Sequence, residues 1–450
     1  MWAIVQLKNP IWYIDATGGI INKIPGQKKP FLYSVVVHDT EKRLIFPISE
    51  FISTANDAKS IASYFADIKL EFLKKIPRNG LFQVAPLVVT DFSWGLINAV
   101  LETFNNCTAT IHINWCFEII FKESDSILLA NIMKCIFQLC SVHFLKLIIT
   151  KVRKIKPFAD EEKNKKIQND FIFAFTLLQN SINIEEFTVN FKHVYNIFNL
   201  KYASTDYDDS TKIIKQQLLD RNLTVIKYNE TQNNSDVRQL KKKNSEAHQI
   251  MIVDDDFSER ALKNYSPFAI HFNKCIKQHE VLITKNLKDK NKSQINWNYC
   301  PKLFNILLDY IHILPFWTGI MVEKWKFMNP NYSKLIASLL NNNPVENHFK
   351  QTKHCLFEAL PVMPSQYTSR MKLRLDALCI ENYKNELDKV QLNNAKHSSD
   401  ATEPWQDRKN KRRKGSKTFY DDPNPRIFEQ KDKIIKKSII TKFILKFFKD

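Results

Sequence analysis

Ile11-Trp12-Tyr13-Ile14-Asp15-Ala16-Thr17-Gly18 is a short apolar run that ends in a carboxylate, with a glycine pair at Gly18-Gly19 just beyond. The run reads as a β-strand, and the glycines predict a hairpin whose return passes through Ile20-Ile21. Phe31 to Val37 is rich in β-branched and aromatic residues and reads as the next strand. Leu44-Ile45-Phe46-Pro47-Ile48 reads as a third, with Pro47 marking its end or a sheet edge. The period then changes. Between Asp57 and Lys75, Ile61, Phe65, Ile68 and Phe72 share one helical face, and Asn56 is the expected cap. Leu87-Val88-Val89-Thr90 is a compact apolar strand ending at Asp91. Ser93 then caps a helix carrying Leu96, Ile97, Val100, Leu101 and Phe104 on one side. Thr110 to Ile113 is the expected fifth strand.

Three antiparallel strands, a helix, a strand, a helix and a further strand predict an α/β fold, an RNase H-like mixed sheet with flanking helices. After Thr150 the pattern is helical for a long stretch, with Asp170–Ser181, Ile184–Leu200, Thr211–Leu219, Pro267–Ile283 and Pro301–Leu314 as the better candidates. The expected organisation follows. Residues 1–156 form the first part of the core. Residues 157–340 form a large α-helical insertion with a polar loop near 229–249. Residues 341–390 complete the core with the helix bearing Glu346, and 391–450 form a basic, largely disordered tail.

The chain has 450 residues, 66 Lys plus Arg against 47 Asp plus Glu, a net charge of +19 and 44% hydrophobic residues. That composition is globular and excludes whole-chain disorder. Seven glycines exclude collagen-like repeats and Gly/Ser linkers. The positive charge suggests a polyanionic partner, with a solvated Lys-rich surface as the plainer reading. Eight scattered cysteines and the lack of a secretory signal at the start read as reduced thiols in cytosol or nucleus. The apolar window Ile127–Thr150 is interrupted at Asn131, Lys134, Gln138 and Ser141, which predicts an amphipathic helix and no membrane span.

Asp15 and Asp91 each end an apolar strand. If those strands are neighbours, both carboxylates emerge at one place, where oxygen ligands suit Mg²⁺ or Mn²⁺. Taken singly, each reads first as a turn former or helix cap. Glu346 lies in Asn342-Asn343-Pro344-Val345-Glu346-Asn347-His348, where Asn343 reads as N-cap and Pro344 as the first helical residue; Glu346 is then also placed as a capping-box acid. Cys140 and His143 are three apart and share a helix face. A structural zinc is not expected, because Cys116 and Cys135 are too isolated to complete four ligands. Asp254-Asp255-Asp256 reads as an exposed acidic loop. Trp297, Trp317 and Trp325 read as core aromatics rather than base-stacking platforms. Arg408, Lys409, Lys411, Arg412, Arg413 and Lys414 form a basic run suited to nuclear import or to phosphate contact.

Tyr13-Ile14-Asp15-Ala16-Thr17-Gly18, Val88-Val89-Thr90-Asp91-Phe92-Ser93 and Asn342-Asn343-Pro344-Val345-Glu346 resemble, in order, the three acidic motifs of the Mutator-like (MULE) DDE transposases. Cys140-Ser141-Val142-His143 is similar to the Cys-x-x-His motif those enzymes carry before the Glu. The resemblance covers about residues 10–385. It implies Asp15, Asp91 and Glu346 as catalytic residues holding two Mg²⁺ or Mn²⁺ ions, DNA cleavage and strand transfer, transposon ends and target DNA as partners, and the nucleus as location. It is compatible with a homo-oligomer. Those enzymes usually carry a DNA-recognition region ahead of the core, and with fourteen residues before Asp15 the expectation is a truncated product, or recognition that has been lost or moved elsewhere. The alternatives are a catalytically inactive transposon-derived DNA- or chromatin-binding protein, and an unrelated helical scaffold in which the three acids lie far apart.

Overall fold

Five strands make one mixed sheet in the order β3-β2-β1-β4-β5. They are β1 (Ile11–Gly18), β2 (Phe31–Asp39), β3 (Leu44–Ser53), β4 (Leu87–Thr90) and β5 (Ile136–Leu139). β1, β2 and β3 pair antiparallel, whereas β1 with β4 and β4 with β5 pair parallel. The computed structural model describes residues 11–39, 42–75, 85–122, 135–220, 262–287, 295–328, 340–358 and 360–396. The polar loop at 229–249, the Asp254–Asp256 run and the basic run with the tail that follows it lie outside the described residues. The chain divides into two compact units, residues 2–359 and residues 360–450.

The helices of the first unit are α1 (Ala58–Lys75), α2 (Trp94–Val100, continuing as a π-turn to Asn105), α3 (Ala109–Phe121), α4 (Ser141–Val152), α5 (Glu161–Gln179), α6 (Ile184–Asn199), α7 (Thr205–Asp220), α8 (Pro267–Leu287), α9 (Pro301–Ile311), α10 (Leu314–Trp317), α11 (Ile320–Met328) and α12 (Asn343–Gln351). α13 (Pro364–Lys396) belongs to the second unit. Among the described residues no helix is long and apolar enough to cross a membrane.

The alternation of a strand sends neighbouring residues to opposite faces. In β1, Trp12 turns to one face, where its ring lies 5.3 Å from Phe72 of α1 and 5.7 Å from Phe104 in the π-turn that ends α2. Asp15 turns to the other face. The register carries that face across the sheet, since Asp15 pairs with Ser34 and Ser34 with Glu50. α12 covers this polar row, touching β1, β2 and β3. One face is therefore an aromatic core and the other a polar row under a single helix.

The helical stretch is joined to the sheet by aromatics. Phe144 of α4 lies 5.8 Å from Trp317, 5.2 Å from Tyr310 and 6.1 Å from Phe175, and Trp317 stacks on Phe175 at 5.1 Å. Trp317 is 1% exposed. Each such burial contributes about 1.5–3 kcal/mol relative to exposure, so this cluster is a substantial part of the stability of the first unit. Trp325 is also buried, but Trp297 is 65% exposed under the Lys163 ammonium, so the core reading fails for that one tryptophan.

Several sequence expectations are corrected. The strand that returns beside β1 is Phe31–Asp39 rather than Ile20-Ile21; Gly19, at φ +82°, turns the chain out of β1. Pro47 does sit on an edge strand, but it lies inside β3, where the register slips between Val35 and Val36 and no ladder amide is required. Asp57, not Asn56, caps α1, accepting from Ser60 N at 2.8 Å, while Asn56 Oδ1 takes the Tyr33 hydroxyl. Thr110–Ile113 is not a strand. Thr108 caps α3, and Ala109, His112, Ile113, Cys116, Ile119 and Ile120 are buried at helical spacing. The fifth strand instead comes from the window read as one amphipathic helix. Ile136–Leu139 is buried at every position as β5, and the helix begins at Ser141. A four-residue apolar run does not distinguish a doubly covered strand from a helix turn.

Candidate metal centre

In the parallel ladder Ile14 pairs with Thr90, and Thr90 with Leu139. Asp15, Asp91 and Cys140 are each the next residue. Three separate segments thus deliver a carboxylate, a carboxylate and a thiol to one end of the sheet. Cys140 N donates to Thr90 O at 2.8 Å, extending the ladder by one bond. Carboxyl ends of parallel strands are where open α/β sheets place ligands, because the connections diverge there.

Glu346 and His143 close the group. α4 starts at Ser141 and carries His143 in its first turn. His143 Nδ1 lies 2.7 Å from Asp91 Oδ1, and Nε2 lies 3.5 Å from Glu346 Oε1. Glu346 stands in the first turn of α12. Asp91, His143 and Glu346 are about a quarter to two-fifths exposed, so the group is reached from solvent.

The N-cap of α12 is Asn342, not Asn343, and its side chain makes no cap bond. Its Nδ2 instead donates to Ile14 O at 3.1 Å and Asp91 Oδ1 at 3.2 Å. Its backbone N donates to Cys140 Sγ at 3.2 Å. The sequence reading missed this residue because an asparagine beside a helix start has an ordinary local role.

The electrostatics follow from crowding. Burial, then the neighbouring Asp91 charge, raise the Asp15 carboxyl well above its usual range, with Glu346 adding to the rise; the Ala16 amide and His143 oppose it. Burial disfavours the charged His143 imidazole, but hydrogen bonds to Asp91 and Cys140 outweigh that and raise it to about 11. His143 is accordingly a cation set between two carboxylates.

Asp91, Cys140 and His143 place one ligand atom each within 4.8 Å of one another, a donor set able to hold a metal ion. Asp15 is near enough for the charges of Asp91, His143 and Glu346 to act on its carboxyl, and Glu346 Oε1 lies 3.5 Å from His143 Nε2. The geometry brings Asp15, Asp91, Glu346, Cys140 and His143 together. Arg408, Lys409, Lys411, Arg412, Arg413 and Lys414 lie outside the described residues. Cys116 and Cys135 are buried free thiols, and they are not part of this donor set.

A second polar group sits under α12. His348, fully buried, pairs with Glu50 Oε1 at 2.7 Å, and Ser34 Oγ donates to the same oxygen at 3.2 Å. No sequence signal marked Glu50, because the partners come from β2, β3 and α12.

No family model matches the chain. The chain is 29% identical over 144 residues to the 120.7 kDa protein in NOF-FB transposable element of Drosophila melanogaster, a match covering 31% of this chain and 12% of that protein. The similarity is partial and distant, and it links this chain to a protein of a transposable element.

Proposed function

We propose that this protein derives from a transposase and carries a DDE-type site for metal-dependent cleavage and strand transfer of DNA. The observation that carries the reading is the register: Asp15 and Asp91 follow the paired Ile14 and Thr90, and Glu346 meets them from α12 through His143. The strand order, three antiparallel strands followed by two parallel ones, supports reading the mixed sheet as an RNase H-like core. The likeness to a transposable-element protein supports the same origin.

The oxygen donors of this region, rather than the Asp91, Cys140 and His143 group, are the ones suited to a hard divalent cation. Asp15 feels the charges of both Asp91 and Glu346, and Asn342 Oδ1, a buried carbonyl oxygen beside Asp91, accepts no hydrogen bond. Asp15, Asp91 and Glu346 would hold Mg²⁺ or Mn²⁺, which when bound supplies nucleophile activation and charge neutralisation at the phosphodiester. The chain's own contribution is positional. The sheet end fixes two carboxylates relative to each other, α12 brings the third, and His143 orients Asp91 and supplies positive charge next to it. The basic run at 408–414 is assigned to DNA phosphates or to nuclear import.

The second reading, a DNA-binding protein without turnover, is favoured by one observation. One cation from within the chain, His143, already pairs with two of the three acids, Asp91 and Glu346, and offsets part of their charge. The deciding experiment is Mn²⁺-dependent nicking of supercoiled DNA by the full chain beside Asp91→Asn and Glu346→Gln. Nicking lost in both variants is the expected result. Salt-sensitive DNA binding with no nicking by the wild type establishes the second reading. Equal nicking by all three proteins overturns the first.

A further inference from the structure

Asn342 holds more of the site together than any carboxylate does. It is fully buried. Its Nδ2 reaches Ile14 O, in the peptide that leads into Asp15, and Asp91 Oδ1. Its backbone N reaches Cys140 Sγ, and its carbonyl accepts from Glu346 N at 3.1 Å. One residue therefore touches the ends of β1, β4 and β5 and the first turn of α12.

We propose that Asn342 is a positioning residue that sets the helix bearing Glu346 against Asp15 and Asp91. The chemistry selects a carboxamide. A carbonyl and a carboxylate both face the side chain, and both are acceptors. Only an NH₂ group can donate to two acceptors from one short side chain; an Asp would add a like charge and no donor, and a Leu would take one donor from each oxygen. The same reasoning fixes the amide's orientation, because its oxygen cannot face Ile14 O and Asp91 Oδ1. An asparagine at an N-cap ordinarily turns its side chain back onto the helix amides. Here it forgoes that bond and directs its donors to the two strands, which ties the placement of α12 to the sheet end rather than to its own helix.

The proposal rests on the metal-site reading, and its test separates the two. Asn342→Leu keeps the branched side-chain shape, at a somewhat larger volume, and both backbone contacts, and it removes the Nδ2 donors together with Oδ1. Mn²⁺ binding to the full chain is measured by the electron paramagnetic resonance of free Mn²⁺, with Asp91→Asn as the site control, alongside nicking. Expected is a cooperatively folded Asn342→Leu whose Mn²⁺ half-saturation rises by roughly 10–100-fold, with kcat lowered and the KM for DNA little changed. A volume-filling role alone leaves half-saturation at the wild-type value, and that result overturns the proposal. If Asn342→Leu does not fold, Asn342→Ala, which removes both donors at a smaller volume, carries the same comparison, and an unchanged half-saturation there is equally fatal. Wild-type Mn²⁺ binding without nicking sinks the catalytic reading, while the shift in half-saturation still decides the role of Asn342. Neither binding nor nicking in the wild type overturns both.

Discussion

His143 Nδ1 stands 2.7 Å from Asp91 Oδ1, and the opposite nitrogen of the same ring stands 3.5 Å from Glu346 Oε1. One imidazole from the start of α4 thus spans two carboxylates contributed by the end of β4 and by α12. Hydrogen bonding to Asp91 and Cys140 holds its charge, with a folded-state value of about 11. Removing the ring takes the shorter of the two contacts on Asp91 Oδ1 and leaves Asn342 Nδ2 as its donor. His143→Ala is expected to lower Mn²⁺-dependent nicking by ~10–100-fold while the protein still folds. Circular dichroism beside a nicking assay checks this, and undiminished activity would remove His143 from the site.

Asp15 is held at a cost. Its carboxylate is desolvated and faces Asp91 and Glu346. Asp15→Asn keeps an oxygen for the Ala16 amide, 2.7 Å away, and removes the charge. The variant should be more stable than the wild type by about 0.5–2 kcal/mol in metal-free buffer and inactive in nicking. Urea denaturation in the presence of a chelator measures the first part. A loss of stability in Asp15→Asn would mean that the carboxylate is not under repulsion.

α12 is also anchored away from the metal-ligand group. His348, buried completely, pairs with Glu50 at 2.7 Å. Truncating the ring leaves a buried carboxylate oxygen with one donor fewer and opens a cavity. His348→Ala should cost about 3 kcal/mol in urea denaturation, and Glu50→Gln distinctly less because an amide oxygen still accepts. Equal costs for the two would show that loss of the charge-assisted hydrogen bond, not cavity formation, dominates.

His112 supplies a pH dependence remote from the site. It is 1% exposed, its Nδ1 lies 3.2 Å from Asn105 Nδ2, and burial lowers it from 6.5 to about 3. Between those values the unfolded chain binds a proton that the folded chain refuses. Stability therefore falls as pH drops through that window, by about 1.4 kcal/mol per unit for this group, and the loss ends near the folded value. His112→Gln keeps an acceptor for Asn105 and should flatten that slope. Urea midpoints from pH 7 to 4 for both proteins test it; parallel curves would assign the acid sensitivity elsewhere.

The sequence alone determined the strand-and-carboxylate units. Four apolar residues ending at Asp15 and a compact apolar strand ending at Asp91 are local facts, and strand propensity with a polar terminus is enough to read them. Ser93 as a cap and Pro344 at the start of α12 were legible for the same reason, since caps and proline act on their own neighbours. The fifth strand was not legible. Ile136–Leu139 is buried at every position because it is covered on both sides, and full burial erases the alternation that distinguishes strand from helix. Register, too, was decided only in three dimensions. That Ile14 meets Thr90 and Thr90 meets Leu139 follows from parallel pairing across long connections, and it is this rung that brings Asp15, Asp91 and Cys140 together. The roles of Asn342, Glu50 and His348 belong to the same class. Each is an ordinary polar residue in the chain, and acquires its partner only when burial forces a donor and an acceptor from distant segments to satisfy one another.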